Sequence, residues 1–112
     1  MEEDLLKIVN HYGIHNQLKK FNEECFELIE AIITYQKLYD ESCRSGVSVS
    51  KFAEEREHII EEMGDVTVIL GELKKYYCIT DEDLEKIRKF KVARQLERIK
   101  NETVAKNEWI KD

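Results

Sequence analysis

Two acidic clusters, Glu23-Glu24-Cys25-Phe26-Glu27 and Glu61-Glu62-Met63-Gly64-Asp65, hold the residues of this chain best suited to chemistry. Each sits in an apolar stretch of helical period. At 100° per residue, Glu24 and Glu27 lie about 60° apart on one helix face, and so do Glu62 and Asp65. Carboxylates spaced this way repel by roughly 0.2–0.5 kcal/mol per pair. No Lys or Arg follows any of these acids at three or four residues, and Lys19 and Lys20 precede Glu23 and Glu24 in the weaker order. Further on, Glu82 is followed by Lys86, and Glu85 by Arg88 and Lys89. The chain neutralises helical acids there and leaves these bare. A bound cation would supply the missing charge.

If the two clusters lie on antiparallel neighbouring helices, Glu24, Glu27, Glu62 and Asp65 converge at one level. Oxygen ligands suit hard divalent ions, and Mg²⁺ takes a few carboxylates, keeps some waters and completes its shell with phosphate oxygens. The expected cofactor is Mg²⁺, with Mn²⁺ as the substitute, acting on a polyphosphate. Such an ion holds substrate, offsets developing charge and acidifies water. Glu23 and Glu61, next in sequence to two ligands, are candidates to support them or to serve as general base.

The elements that must carry these acids are legible in the apolar spacing. A short segment (Leu5, Leu6, Ile8, Val9) ends near Gly13. A second keeps a seam at Ile14, Leu18, Phe21, Cys25, Leu28, Ile32, Tyr35 and Tyr39, and a third at Ile59, Met63, Val66, Leu70, Leu73 and Tyr77. These gaps of three and four predict helices packed along their length. Extra apolar residues (Ile29, Ile33, Ile60, Val68, Ile69) widen both faces beyond a two-stranded coiled coil. Four serines and a glycine within residues 41–50 predict a mobile loop, an insertion over about 42–50, with the next helix starting near Ser50 or Lys51. Thr80-Asp81-Glu82-Asp83 has the form of a capping box and predicts a helix from about Asp81 to Lys100. Residues 101–112 either extend that helix or form a tail docked by Trp109. Gly64 costs about 1 kcal/mol of helix propensity, which a close approach by a neighbouring helix or ligand would explain.

Composition narrows the class. The chain has 112 residues, no proline, four glycines and a net charge of −6. That predicts one all-α domain over 1–112, built as a four-helix bundle of antiparallel helices, and argues against nucleic acid as a partner. Cys25, Cys43 and Cys78 have no CxxC spacing and read as reduced thiols of a cytoplasmic protein. No apolar run is long enough for a membrane span, and the acidic start is no signal peptide. A single Glu55-x-x-His58 does not make a di-iron site, which needs two such motifs. No Gly-rich phosphate loop is present, so this is no P-loop enzyme.

These residues resemble the MazG-type, all-α nucleoside triphosphate pyrophosphohydrolases. The resemblance rests on Glu23-Glu24-x-x-Glu27-Leu28 followed by Glu62-x-x-Asp65. The flanks Asn16-Gln17-Leu18-x-Lys20-Phe21 and Ile59-Ile60-Glu61-Glu62-Met63-Gly64-Asp65-Val66 agree, and the likeness spans roughly residues 14 to 99. It implies Mg²⁺-dependent cleavage between the α- and β-phosphates, giving a nucleoside monophosphate and pyrophosphate, as in cleaning of a nucleotide pool. By position it implies Glu24, Glu27, Glu62 and Asp65 as metal ligands supported by Glu23. The insertion at 42–50 departs from the family spacing.

Residues 84–100 carry seven Lys/Arg against two Glu. Within them Lys91 and Arg94 match basic positions that contact phosphates in that family and would offset charge on the β- and γ-phosphates. Asn16 and Gln17, with His15, lie two turns before the first cluster and could reach the nucleobase. Wide apolar faces on so short a chain predict a homodimer or homotetramer. Two alternatives stand beside the nucleotide hydrolase: a phosphoribosyl-ATP pyrophosphohydrolase of the same superfamily, and a non-catalytic helical interaction or regulatory module.

Overall fold

The computed structural model describes the backbone of residues 1–45 and 49–110, and the side chains of 1–42 and 49–107. Four helices account for it, with no strand among the described residues: α1 (Glu2–Tyr12), α2 (Ile14–Ser45), α3 (Val49–Tyr76) and α4 (Asp81–Ile110). The all-α class expected from the sequence holds. The chain divides into two compact units, Met1–Cys78 and Ile79–Asp112.

In the first unit α1, α2 and α3 pack pairwise against one another. Gly13 turns α1 into α2 at φ 88°, a conformation that favours glycine, while its N–H closes α1 by donating to the Val9 carbonyl at 2.9 Å. α1 then lies along α3. Leu5 packs over Gly71, where a Cβ would come within 2.7 Å of its Cδ1, and Lys75 Nζ reaches Glu2 Oε2 at 2.8 Å. The close approach expected at Gly64 is found at Gly71 instead. Nothing in the structure comes within 4 Å of a Cβ placed on Gly64.

α2 and α3 form an antiparallel hairpin whose register can be read from three levels. Gln17 meets Glu72 near one end, Glu24 meets Glu62 and Asp65 in the middle, and the Tyr35 and Phe52 rings meet at 5.8 Å near the other. The loop expected over 42–50 is shorter than the sequence suggested. α2 continues through Ser45 and α3 begins at Val49, leaving only 46–48 outside the described residues. Within this stretch the Ser42 hydroxyl donates to the Tyr39 carbonyl one turn earlier at 2.7 Å.

The inward line of each helix overlaps the apolar seam read from the sequence and departs from it by one residue at several positions. On α2 the less exposed positions include Gln17, Phe21, Glu24, Cys25, Leu28, Ala31, Tyr35 and Leu38; on α3 they include Phe52, Glu55, Ile59, Glu62, Val66, Ile69 and Glu72. Phe21, Cys25, Leu28, Tyr35, Ile59 and Val66 belong to both lines. Leu18, Ile32, Tyr39, Met63 and Leu70, expected inside, are exposed; Ile32 keeps 44% of its surface and Met63 47%. Each sits one residue after an inward position, a 100° step. Because the helices run antiparallel, that step turns to the same side of the hairpin on both. That side also carries Ile29 and Ile60 and is nearly free of charge.

α4 forms the second unit together with the turn before it. Its start is the expected capping box: Asp83 N–H donates to Thr80 Oγ1, and Thr80 N–H donates to Asp83 Oδ2, both at 3.1 Å. These two bonds hold the Asp83 carboxyl below its usual range. The helix runs ten residues beyond Lys100, so 101–110 extend it. The Trp109 side chain lies outside the described residues.

Candidate metal centre

Helix α2 presents Glu24 and α3 presents Glu62 and Asp65, and one carboxylate oxygen from each lies within 4.8 Å of the other two. Glu27, one turn after Glu24, is near enough to both Glu24 and Glu62 to raise their pKa values. Three of the four acids singled out in the sequence gather at one level of the hairpin, with Glu27 beside them. Rotation of the inward line explains why: it seats Glu24 and Glu62 in positions that apolar residues would otherwise fill.

The electrostatics are those of crowded anions. Glu24 ionises less readily than a free glutamate, first because it is desolvated and then because Asp65, Glu27 and Glu62 surround it. Glu62 shifts the same way, through desolvation, Glu27 and Asp65. His58, with Nε2 at 3.4 Å from Glu62 Oε1, opposes the shift only in part. Oε2 of Glu24 and Oε2 of Glu62 are both enclosed without a hydrogen-bond partner among the described residues. Carboxylate oxygens placed this way can take up either a proton or a cation.

The donor set fits a hard one. All the ligand atoms are carboxylate oxygens, and opposite ligands of a six-coordinate ion stand about 4 Å apart for Mg²⁺ and about 5 Å for Ca²⁺. The three oxygens, within 4.8 Å of one another, have a spread of that order. Glu23 and Glu61 are exposed neighbours of the ligands in sequence.

Beside the acids is a cavity of about 190 Å³, for which Glu24 and Asp65 form part of the lining. Ile8 of α1 and Val68 and Ile69 of α3 line it with apolar surface, and Gln17, Lys20 and Glu72 bring polar groups. Gln17 is 4% exposed and Glu72 1%, and Gln17 Nε2 donates to Glu72 Oε1 at 2.7 Å. Asn16 stands outside this lining; its amide donates to the Tyr12 carbonyl at 2.8 Å across the α1–α2 turn.

Glu72, Lys20 and His58 were not among the site residues expected from the sequence. Glu72 had a usable signal, since it lies seven residues after Asp65, on the same helix face. Lys91 and Arg94 lie exposed on α4 in the second unit. There the Arg94 guanidinium is 5.8 Å from the centre of the Phe90 ring, one turn earlier.

No described helix is long and apolar enough to cross a membrane. The chain matches no family model, no curated protein and no solved structure.

Proposed function

We propose that this chain is a Mg²⁺-dependent nucleoside triphosphate pyrophosphohydrolase, with Mn²⁺ able to replace Mg²⁺. One observation carries the reading: two carboxylates from different helices, Glu24 and Glu62, point inward with unpartnered oxygens and converge with Asp65 and Glu27. The motif resemblance to MazG-type enzymes supports it, and so does the adjoining cavity, where a nucleotide held at the acids would place its next ring.

Glu24, Glu27, Glu62 and Asp65 would hold the ion. When bound, it supplies charge to polarise the phosphate oxygens and to lower the pKa of a water. Glu61 or Glu23, both exposed, takes the proton from the attacking water as its oxygen bonds to the α-phosphorus. The α–β bridging oxygen then leaves with pyrophosphate, and the nucleoside monophosphate remains. The same reading makes the chain a cytoplasmic homodimer or homotetramer that joins through the apolar, nearly charge-free side of the α2–α3 hairpin.

The test is a panel of common and noncanonical NTPs and dNTPs with Mg²⁺, scored for monophosphate and pyrophosphate in the parent and in Glu24→Ala. Pyrophosphate released by the parent and lost in the variant is the expected result. Orthophosphate would mean another bond is cut and would overturn the mechanism. Silence across the panel would redirect the search to phosphoribosyl-ATP, and failure there to a non-catalytic module.

A further inference from the structure

Glu72 is the most deeply buried carboxylate among the described residues, and the metal centre makes no use of it. Only 1% of its surface is exposed, and the single hydrogen bond it makes among the described residues comes from the neutral amide of Gln17. A carboxyl group can accept more than one hydrogen bond, and Glu72 lines the cavity beside the acids. Gln17 likewise keeps its carbonyl oxygen, a second acceptor, after donating to Glu72. A pair locked in this orientation presents acceptors to whatever enters.

Cavity size limits the occupant. About 190 Å³ equals roughly six water volumes, well under the 300–1,000 Å³ typical of sites for drug-sized ligands. It is half open, so a nucleoside could seat one ring in it and leave the other outside. The apolar surfaces of Ile8, Val68 and Ile69 suit a ring, and the acceptors of Glu72 and Gln17 suit one that carries O–H or N–H groups.

We infer that Glu72 and Gln17 form a donor-reading pair that selects the nucleoside part of the ligand, accepting from either a pentose hydroxyl or an exocyclic base amine. The inference rests on the nucleotide reading of the metal centre. It assigns selectivity to a pair of residues that touches neither the cation nor the reacting phosphorus.

The experiment titrates nucleoside monophosphates into the full chain with Mg²⁺, following the Gln17 side-chain amide by NMR. The probes are adenosine monophosphate, its 2′-deoxy and 3′-deoxy forms, and inosine monophosphate, in which the base amine is replaced. Removing one particular donor should weaken binding at least about tenfold in the parent, and should matter no more than about twofold in Glu72→Gln. Which probe loses affinity tells hydroxyl from amine. Equal affinity for all four probes in the parent, or unchanged discrimination in Glu72→Gln, overturns the inference. If Glu72→Gln does not fold, Val68→Phe at a half-exposed position tests the cavity itself. It should abolish monophosphate binding and keep the response to Mg²⁺ alone, whereas undiminished binding overturns the assignment. Monophosphates that shift Gln17 in a chain cleaving no triphosphate would sink the hydrolase reading and leave this one standing. Cleavage with unchanged discrimination does the opposite.

Discussion

Glu24 on α2 and Glu62 on α3 face one another across the hairpin, each with one enclosed oxygen that no described residue satisfies. Both ionise at a higher pH than the ordinary glutamate value of 4.5. Between 4.5 and the raised values the folded chain holds more protons than the unfolded one, so stability is fullest below that window and falls as pH rises through it. Melting temperature measured against pH without divalent ions should therefore decline through that range. With Mg²⁺ present the decline should flatten, because the ion takes the place of the protons. Parallel curves with and without Mg²⁺ would remove the site.

At a fixed pH near 7, binding to the folded state sets the size of the effect. Free Mg²⁺ at tenfold its Kd adds about 1.4 kcal/mol, on the order of 5 °C for a chain of this length. Glu62→Gln should melt higher than the parent without ions, lose this rise, and release pyrophosphate at least about a hundredfold more slowly. A variant that still gains the full rise would show the ion bound elsewhere.

Gly64→Ala should stabilise the chain. The position is helical, a Cβ would meet nothing within 4 Å, and alanine recovers about 0.5–1 kcal/mol of helix propensity. Chemical denaturation reads this directly. A destabilised variant would mean that something packs against Gly64 in solution, a second copy of the chain being the first suspect.

Thr80→Ala removes one half of the reciprocal cap and should cost about 1 kcal/mol of α4 stability, seen as reduced helicity by circular dichroism. The parent cap also carries a pH signature. Asp83 is held below 3.8, so its stabilisation is complete above that value and is lost as pH falls through the depressed one. Thr80→Ala should show a weaker acid dependence.

Ile32→Glu together with Met63→Glu places charge on the apolar side of the hairpin. Neither residue is in the inward line, so the fold should persist. Sedimentation should show the parent as an oligomer and the double variant as a monomer. A parent that is already monomeric at high concentration would dispose of the proposed interface.

Much of this was legible before the coordinates. The acids, their pairing across two helices, the Gly13 break and the Thr80–Asp83 cap all follow from residue type and spacing. What the periodicity misjudged was rotation. Leu18, Ile32, Met63 and Leu70 make a better apolar line than Gln17, Glu24, Ala31 and Glu62, and hydrophobicity alone selects the first. A helix apolar on two adjacent strips has two ways to face its neighbour, and the chain buries the strip that holds its carboxylates. Glu72 escaped notice for the same reason, since an isolated acid near a helix end reads as solvated. The length of α2 was misjudged because serine content says little about the end of a helix already 27 residues long at Asp40.

One consequence concerns how such a molecule could diversify. The acids sit on α2 and α3, whereas Ile8, one apolar wall of the cavity, belongs to α1, joined through the single flexible residue Gly13. α1 lies on α3 through side-chain packing at Gly71 and one ion pair, and it buries Val9 completely. The first dozen residues thus anchor one wall of the cavity while the acids stand on the other two helices. A change at Ile8 that keeps Val9 would reshape what the cavity admits without altering any of the acids.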